Sequence, residues 1–376
     1  MKKYLIIGNG VAGTEAAAEI RKNDPDGLIT MFTKEKIPFY SRIRLPDYVA
    51  GNAEQSDLVV KNDKWYDDLR INLKLETSII NIDHALKKAR DSAGNLYDFD
   101  RLLLATGSSP FIPPVKGNSK ENIFALRTVR DAENIINALA HGGNIVIIGG
   151  GLLGIEAGHA FVKRGLLVTI VEFFDRLLPR QMDKEGASIL RKLLESKGFN
   201  FRLDARTKEI CGNDTVTGVQ LESGEIIKAD MVLFSAGVRP DLKLAEDLGL
   251  KIDRAVVVDK HMKTTLDSVY AAGDVAQFEG ANFSIWPEAM DQGRTAGCNM
   301  AGTAAVYEPV VPSNRLKVAG IALASAGDID VDNKLESDIK KGENSYEKIV
   351  KKDGKLAGCI MLGSTERFSD LVQQIR

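Results

Sequence analysis

Two stretches of this chain follow one pattern: LIIGNGVAGTEAA at residues 5–17 and IVIIGGGLLGIEA at residues 145–157. In each, an apolar run enters GxGxxG and a helical pattern leaves it. The first copy predicts strands at Tyr4–Ile7 and Ile29–Phe32 around a helix running through Glu19 and Ile20. The second predicts strands at Asn144–Ile148 and Leu167–Val171 around a helix to Lys163. Each copy is thus a βαβ unit opened by a glycine turn. The glycines have separate tasks. Gly8 and Gly149 permit the tight exit from the strand. Gly10 and Gly151 let backbone amides close on a pyrophosphate. Gly13 and Gly154 let helix and strand pack closely. The helix N-terminus adds partial positive charge. Asn9, Val11 and Ala12 complete the first cradle, and Gly150, Leu152 and Leu153 the second. One such turn is weak evidence; two, each between strand and helix, imply two dinucleotides.

The copies differ at the tip of their second strand. The second copy ends in Glu172, 23 residues beyond Gly149. A carboxylate there accepts hydrogen bonds from both hydroxyls of an adenine ribose and repels a 2′-phosphate, which favours NADH over NADPH. Arg176 lies close enough in sequence to soften that preference. The first copy has Thr33 at this position and Glu35 two residues later. Either could hold a ribose, and Glu35 has the alternative of a solvated turn residue.

Three more stretches carry signal. DRLLLATGSSP (100–110) and DMVLFSAGVRP (230–240) are apolar strands ending in small residues, Ala105-Thr106-Gly107 in one and Ser235-Ala236-Gly237 in the other. Small residues at a strand end let the backbone approach a ligand or another domain. VYAAGDVAQF (269–278) ends a short strand at Gly273-Asp274, where the aspartate can accept from a sugar-alcohol hydroxyl. WPEAMDQGRTAGCNMAG (286–302) then reads as a helix whose N-terminus favours an anion, with Met290 and Met300 as core candidates.

Composition removes several function classes. Lys and Arg total 50 against 52 Asp and Glu, without the basic excess of a nucleic-acid footprint. No apolar run reaches the ~18 residues of a membrane span. The cysteines, Cys211, Cys298 and Cys359, are too dispersed for a zinc cage, an iron–sulfur cluster or a disulfide framework. His84, His141, His159 and His261 show no ligand spacing, so no metal site is expected. The expected compartment is the cytoplasm, without membrane or nucleic-acid partners.

LIIGNGVAG, LLLATGSSP, IVIIGGGLLGIE and VYAAGDVA, in this order, resemble the two-dinucleotide-fold flavoprotein reductases from about residue 1 to 305. IPFYSRIRLPDYVAG and NRLKVAGIALASAGD are most similar to NADH:rubredoxin reductases and to the flavin-bearing N-terminal part of assimilatory nitrite reductases. The resemblance implies an α/β fold: two Rossmann-like, glutathione-reductase-like domains for FAD and NAD, plus a small α+β C-terminal domain. It implies an FAD domain at 1–108 and 238–305, an NAD domain at 109–237 and a C-terminal interface domain at 306–376, with strands expected near Leu316–Leu323 and Glu347–Leu362. By position, Gly8, Gly10, Gly13 and Arg42 would hold the FAD pyrophosphate, Thr106 and Gly107 would lie near the flavin, and Asp274 would bind the ribityl chain. Trp286 is a candidate for stacking near the flavin, with core burial as its alternative. Gly149, Gly151, Gly154 and Gly237 would serve NAD, and Glu156 would lie near the nicotinamide.

Two departures narrow the activity. Ile43 stands where some relatives carry a reactive cysteine, which disfavours thiol-based disulfide or peroxide reduction. Asp47 stands where others carry a lysine that pairs with the acid equivalent to Glu156, leaving Arg44 as a conjectural partner. The implied activity is that of an NAD(P)H-dependent FAD oxidoreductase, a monomer or homodimer, delivering electrons to a small rubredoxin-like carrier. NADH oxidation by oxygen, a redox-sensing or assembly module, and a subunit of a nitrite-reducing complex are the alternatives.

Overall fold

The apolar runs of both glycine-rich copies become central strands of parallel sheets. The computed structural model describes residues 1–139, 143–309 and 311–375; His141 lies outside them. The first copy is β1 (Lys3–Ile7), α1 (Val11–Asn23) and β2 (Leu28–Phe32). The second is β3 (Asn144–Ile148), α2 (Leu152–Lys163) and β4 (Leu167–Val171). Helix α1 runs one turn past its alanine-rich stretch, because Arg21 and Lys22 suit the negative end of the helix.

The chain divides into two compact units. The first comprises Met1–Ser41, Ser56–Ser109 and Val238–Val310. Its five-stranded parallel sheet has the order Val269–Ala271, Arg101–Leu104, β1, β2, Ile71–Lys74. β1 and Arg101–Leu104 are buried almost throughout, as expected for strands covered on both faces. A long helix, Trp286–Ala301, lies against α1. Side chains at Gly293 and Gly297 would drive a Cβ to 2.4 Å from the Ala12 carbonyl oxygen and 2.5 Å from that of Ala16. The small residues of WPEAMDQGRTAGCNMAG therefore serve helix–helix approach. Met300 is buried in this core, whereas Met290 is only partly covered.

The second unit comprises Arg42–Gln55, Pro110–Gly237 and Val311–Arg376. Its parallel sheet has the order Phe199–Arg202, β4, β3, Met231–Phe234, Ile123–Ala125. The short helix Leu45–Ala50 packs on α2, where Arg164 Nε donates to the Val49 carbonyl at 2.6 Å. A five-stranded antiparallel sheet forms the C-terminal part of this unit. Its order is β5 (Ser313–Val318), β6 (Ile321–Gly327), Lys355–Leu362, β7 (Tyr346–Lys352), Glu336–Lys341. The helix Phe368–Gln374 covers its core of Ala324, Ala326, Cys359 and Met361.

Both long strands expected in this C-terminal part are hairpins instead. Leu316–Leu323 breaks at Ala319-Gly320 (φ 49° and 84°), and Glu347–Leu362 at Asp353-Gly354 (φ 53° and 73°). Two consecutive left-handed residues make the two-residue turn that matches strand twist. Asp-Gly is a standard signal for it; Ala-Gly is not.

A buried polar cluster ties this sheet to the helix Lys184–Glu195. Asp183 caps that helix, Oδ1 accepting from the Gly186 N–H, while Oδ2 accepts from the Tyr346 hydroxyl at 2.6 Å. Lys348 Nζ lies 3.3 Å from Asp183 Oδ2 and donates to the Asp330 carbonyl and Asn333 Oδ1, each at 2.7 Å. Lys348 is 0% exposed; a charge so placed persists only with such partners.

Candidate functional site

Both parallel sheets place their glycine turn at the carboxyl end of the central strand, where the neighbouring strands lie on opposite sides. That is where open α/β sheets bind ligands. The two turns are built alike. A Cβ on Gly8 would come within 1.9 Å of the Ala105 carbonyl oxygen, and one on Gly149 within 2.2 Å of that of Ser235. These are the ends of DRLLLATG and DMVLFSAG, so each small-residue strand exit lies against its own glycine turn. A Cβ on Gly13 would lie 2.0 Å from the Gly8 oxygen, and one on Gly154 2.2 Å from that of Gly149. Around Gly10 and Gly151 a Cβ meets nothing within 4 Å. These two residues are the N-caps of α1 and α2, neither helix has a side-chain cap, and neither has an acid in its first turn. Free helix amides beside open space suit a pyrophosphate.

In the first unit the expected residues gather at these strand ends. Ser108 Oγ donates to Asp274 Oδ2 at 2.6 Å, joining ATGSSP to the GD motif. Asn282 Nδ2 donates to the Asp274 carbonyl, and Thr106 Oγ1 to that of Asp241. Gly107 and Gly273 are left-handed, at φ 71° and 81°. The Thr33 hydroxyl accepts from the Glu35 N–H at 3.2 Å, and the Tyr40 hydroxyl donates to the Glu35 carboxylate. Glu35 is thus a held side chain and not a solvated turn residue. Trp286 opens its helix half-buried, its ring 5.9 Å from that of Phe39; it is not a core residue. Arg42 falls in the second unit, where Nη1 donates to the Arg127 carbonyl at 2.6 Å.

Sequence reasoning missed four residues here. The Tyr66 hydroxyl donates to Asn9 Oδ1 at 2.8 Å and accepts from the Phe39 N–H. Gln292 Oε1 accepts from the Gly273 N–H at 2.8 Å. Glu288 accepts from the N–H groups of Phe283 and Ser284. Burial pushes its carboxyl upward, against those hydrogen bonds, and Asp274 adds to the push. Glu288 occupies the third helical position, a capping-box place readable from sequence. Ser108, inside a quoted motif, was equally legible. Tyr66 and Gln292 carried no signal.

In the second unit Glu172 is 6% exposed and lies under the glycine turn. Oε2 accepts from the Gly150 N–H at 2.5 Å and Oε1 from the Phe174 N–H at 2.9 Å. A carboxylate has about four acceptor positions, so bracing the loop leaves capacity for a ribose. Arg176 Nη1 pairs with Asp175 at 2.9 Å. Gly237 is left-handed at φ 93°, its carbonyl accepting from the Phe111 N–H. Glu156 Oε1 accepts from the Ala319 N–H at 2.8 Å. That bond replaces the conjectured contact with Arg44. Burial raises the Glu156 carboxyl; the Ala319 N–H opposes this and Asp47 reinforces it.

Among the described residues no three potential ligands cluster as a metal site, and no helix is long and apolar enough to cross a membrane.

The family model described as pyridine nucleotide-disulphide oxidoreductase matches residues 2–293. The chain belongs to this family. A second model, the rubredoxin NAD+ reductase C-terminal domain, matches residues 312–376. The chain is 31% identical to the nitrite reductase [NAD(P)H] of Bacillus subtilis over 384 residues, which is 100% of this chain but 47% of that protein. It therefore spans about half the length of the first curated relatives it matches. It is 30% identical to the NADH-rubredoxin oxidoreductase of Clostridium acetobutylicum, covering 99% of this chain and 94% of that one. The crystal structure of NADH:rubredoxin oxidoreductase from that organism matches with a TM-score of 0.85 at 31% identity, covering 100% and 94% of the two chains. The α/β fold with two Rossmann-like sheets is thereby that of the family's reductases.

Proposed function

We propose that this chain is an NADH-dependent FAD reductase that passes electrons to a small iron–sulfur carrier such as rubredoxin. The observation that carries the reading is the pair of like-built cradles, each an open glycine at an uncapped helix N-terminus. The first unit takes FAD: Gly8–Gly13 hold the pyrophosphate and Thr33 or Glu35 the adenine ribose. Ala105–Gly107 and Gly273-Asp274 face the ribityl and flavin, and Trp286 borders the ring. The second takes NADH: Gly149–Gly154 hold the pyrophosphate, Glu172 the ribose, and Glu156 and Gly237 the nicotinamide side. When bound, FAD accepts a hydride equivalent from reduced nicotinamide and releases electrons onward. The chain's residues bind, orient and shield. The buried Glu172 carboxylate favours NADH, because a 2′-phosphate beside it would bring like charges together.

A relative matched over 94% of its length, an NADH-rubredoxin oxidoreductase, supports the carrier as acceptor. The test is anaerobic titration of the purified yellow protein with NADH and NADPH separately, followed by rubredoxin or air. NADH should bleach the flavin at lower concentration than NADPH, and rubredoxin should reoxidise it faster than air-saturated buffer. A colourless protein that cannot be reconstituted with FAD ends this reading, as does a flavin that NADH leaves unbleached. Faster reoxidation by air makes the activity an oxidase.

A further inference from the structure

The tip of the first C-terminal hairpin is seated on the helix of the second cradle. Val318 and Ile321 pair across a two-residue turn of Ala319 and Gly320. Ala319 has φ 49° and is 1% exposed. Alanine is strained in this conformation, where glycine or asparagine sits easily. Its N–H lies outside the strand ladder, and a buried N–H requires an acceptor. Glu156, two residues beyond Gly154 on α2, supplies it at 2.8 Å. Asp47, from the helix Leu45–Ala50, acts on Glu156 as a like charge and Lys163, at the far end of α2, as an opposite one, the lysine the weaker of the two. The contact Glu156 makes is with a backbone amide of the C-terminal sheet.

We propose that the hairpin tip 318–321 is part of the nicotinamide-nucleotide half-site, and that Glu156 is the positioning residue that seats it through reach and not through charge. This rests on reading the second cradle as the NADH site. A side chain that seats the tip fixes one wall beside the first turns of α2. The C-terminal domain then belongs to NADH binding as well as to any partner contact.

Three variants of the full-length, flavin-loaded protein separate reach from charge. Glu156→Asp keeps the charge and withdraws the oxygens by one methylene. Glu156→Gln keeps the reach and an acceptor oxygen. Glu156→Ala keeps neither. Amide exchange at Ala319, read by NMR or fragment-resolved mass spectrometry, should quicken about tenfold or more in E156A and E156D, and less in E156Q. Exchange at Cys359 and Ile360, inside the same sheet, should not change and so reports an intact fold. The NADH dissociation constant, from the concentration dependence of anaerobic bleaching, should follow the same rank order. If E156A does not fold, the E156D and E156Q pair still decides.

Protection retained in E156D but lost in E156Q would show a charge role and overturn the proposal. Ala319 exchange indifferent to all three variants would do the same. Quickened exchange with unaltered NADH affinity would remove the tip from the site. Failure of the unsubstituted protein to bleach with NADH would instead sink the functional reading itself, and is seen without any variant.

Discussion

Replacing Gly10 with alanine separates the room a ligand needs from the room the fold needs. Gly10 has φ −103° and ψ −163°, an extended conformation open to alanine, and a Cβ there meets nothing within 4 Å. Restricting the unfolded chain favours alanine by ~0.4–1 kcal/mol. Its poorer capping of α1 costs a similar ~0.5–1 kcal/mol. The two offset, so the cofactor-free protein should melt within about 3 °C of the unsubstituted one. The new methyl, however, occupies the open side of the cradle. Pushing a pyrophosphate off one or two α1 amides removes charge-assisted hydrogen bonds worth ~1.5–3 kcal/mol each. The FAD dissociation constant should therefore rise about a hundredfold. Gly13→Ala should do the opposite: its Cβ would lie 2.0 Å from the Gly8 oxygen, so the fold is damaged before any ligand is added. Gly151→Ala, at φ −77° and ψ 177° with nothing within 4 Å, should keep FAD and weaken NADH. Flavin fluorescence titration of stripped protein and anaerobic bleaching by NADH measure the two affinities. Unchanged FAD affinity in G10A would refute the reasoning. Loss of FAD in G151A with retention in G10A would exchange the two assignments.

Three further outcomes follow from polar groups of the second unit. Tyr346→Phe leaves Asp183 its lysine and its helix amide and should cost ~1–2 kcal/mol. Lys348→Met strands a buried carboxylate and should cost ~3–5 kcal/mol; melting temperatures in the order K348M, Y346F, unsubstituted check both. Asp230 accepts from Asn144 N at 2.7 Å and from Asn144 Nδ2 at 2.8 Å. These bonds hold its carboxyl below the ordinary 3.8. The stabilisation is therefore full above that value and is lost as pH falls through the lower folded value. The difference in melting temperature between the protein and D230N should be present at neutral pH and shrink as the pH is taken below 3.8.

The sheets were legible because their signals are local. An apolar run followed by GxGxxG can satisfy its backbone and bury its side chains in few ways, and both runs became central strands. The Ala105–Gly107 and Ala236-Gly237 exits were legible as places of close approach, although their nearest neighbour is the glycine turn itself. What failed was long-range or weakly coded. Ala319-Gly320 reverses the chain without the Asn or Asp that marks such turns, so one hairpin read as one strand. Asp353-Gly354 did carry that mark, and the apolar run across it outweighed it. The Glu156–Ala319 bond spans 163 residues, and nothing near either residue announces the other. Gln292 reaches Gly273 across 19 residues and resembles any polar residue of a helix.

The family's name includes disulphide chemistry, but family membership does not fix the acceptor; the site does. A thiol acts in exchange as its thiolate. Burial pushes the Cys359 thiol up to about 11. The Cys298 thiol is also raised, by burial and then by Glu19, which lies 3.5 Å away. Neither ionises appreciably near neutral pH. Cys211 ends the strand Thr207–Cys211 in a three-stranded antiparallel sheet separate from the parallel sheet that carries the glycine turn of its own unit. Ile43 is exposed and offers no sulfur. These residues therefore contain no thiol placed to hold electrons between nicotinamide and acceptor. On the proposed reading the acceptor must approach the flavin itself, a requirement that a protein carrier meets by docking and a disulfide substrate does not meet without a thiolate to receive it.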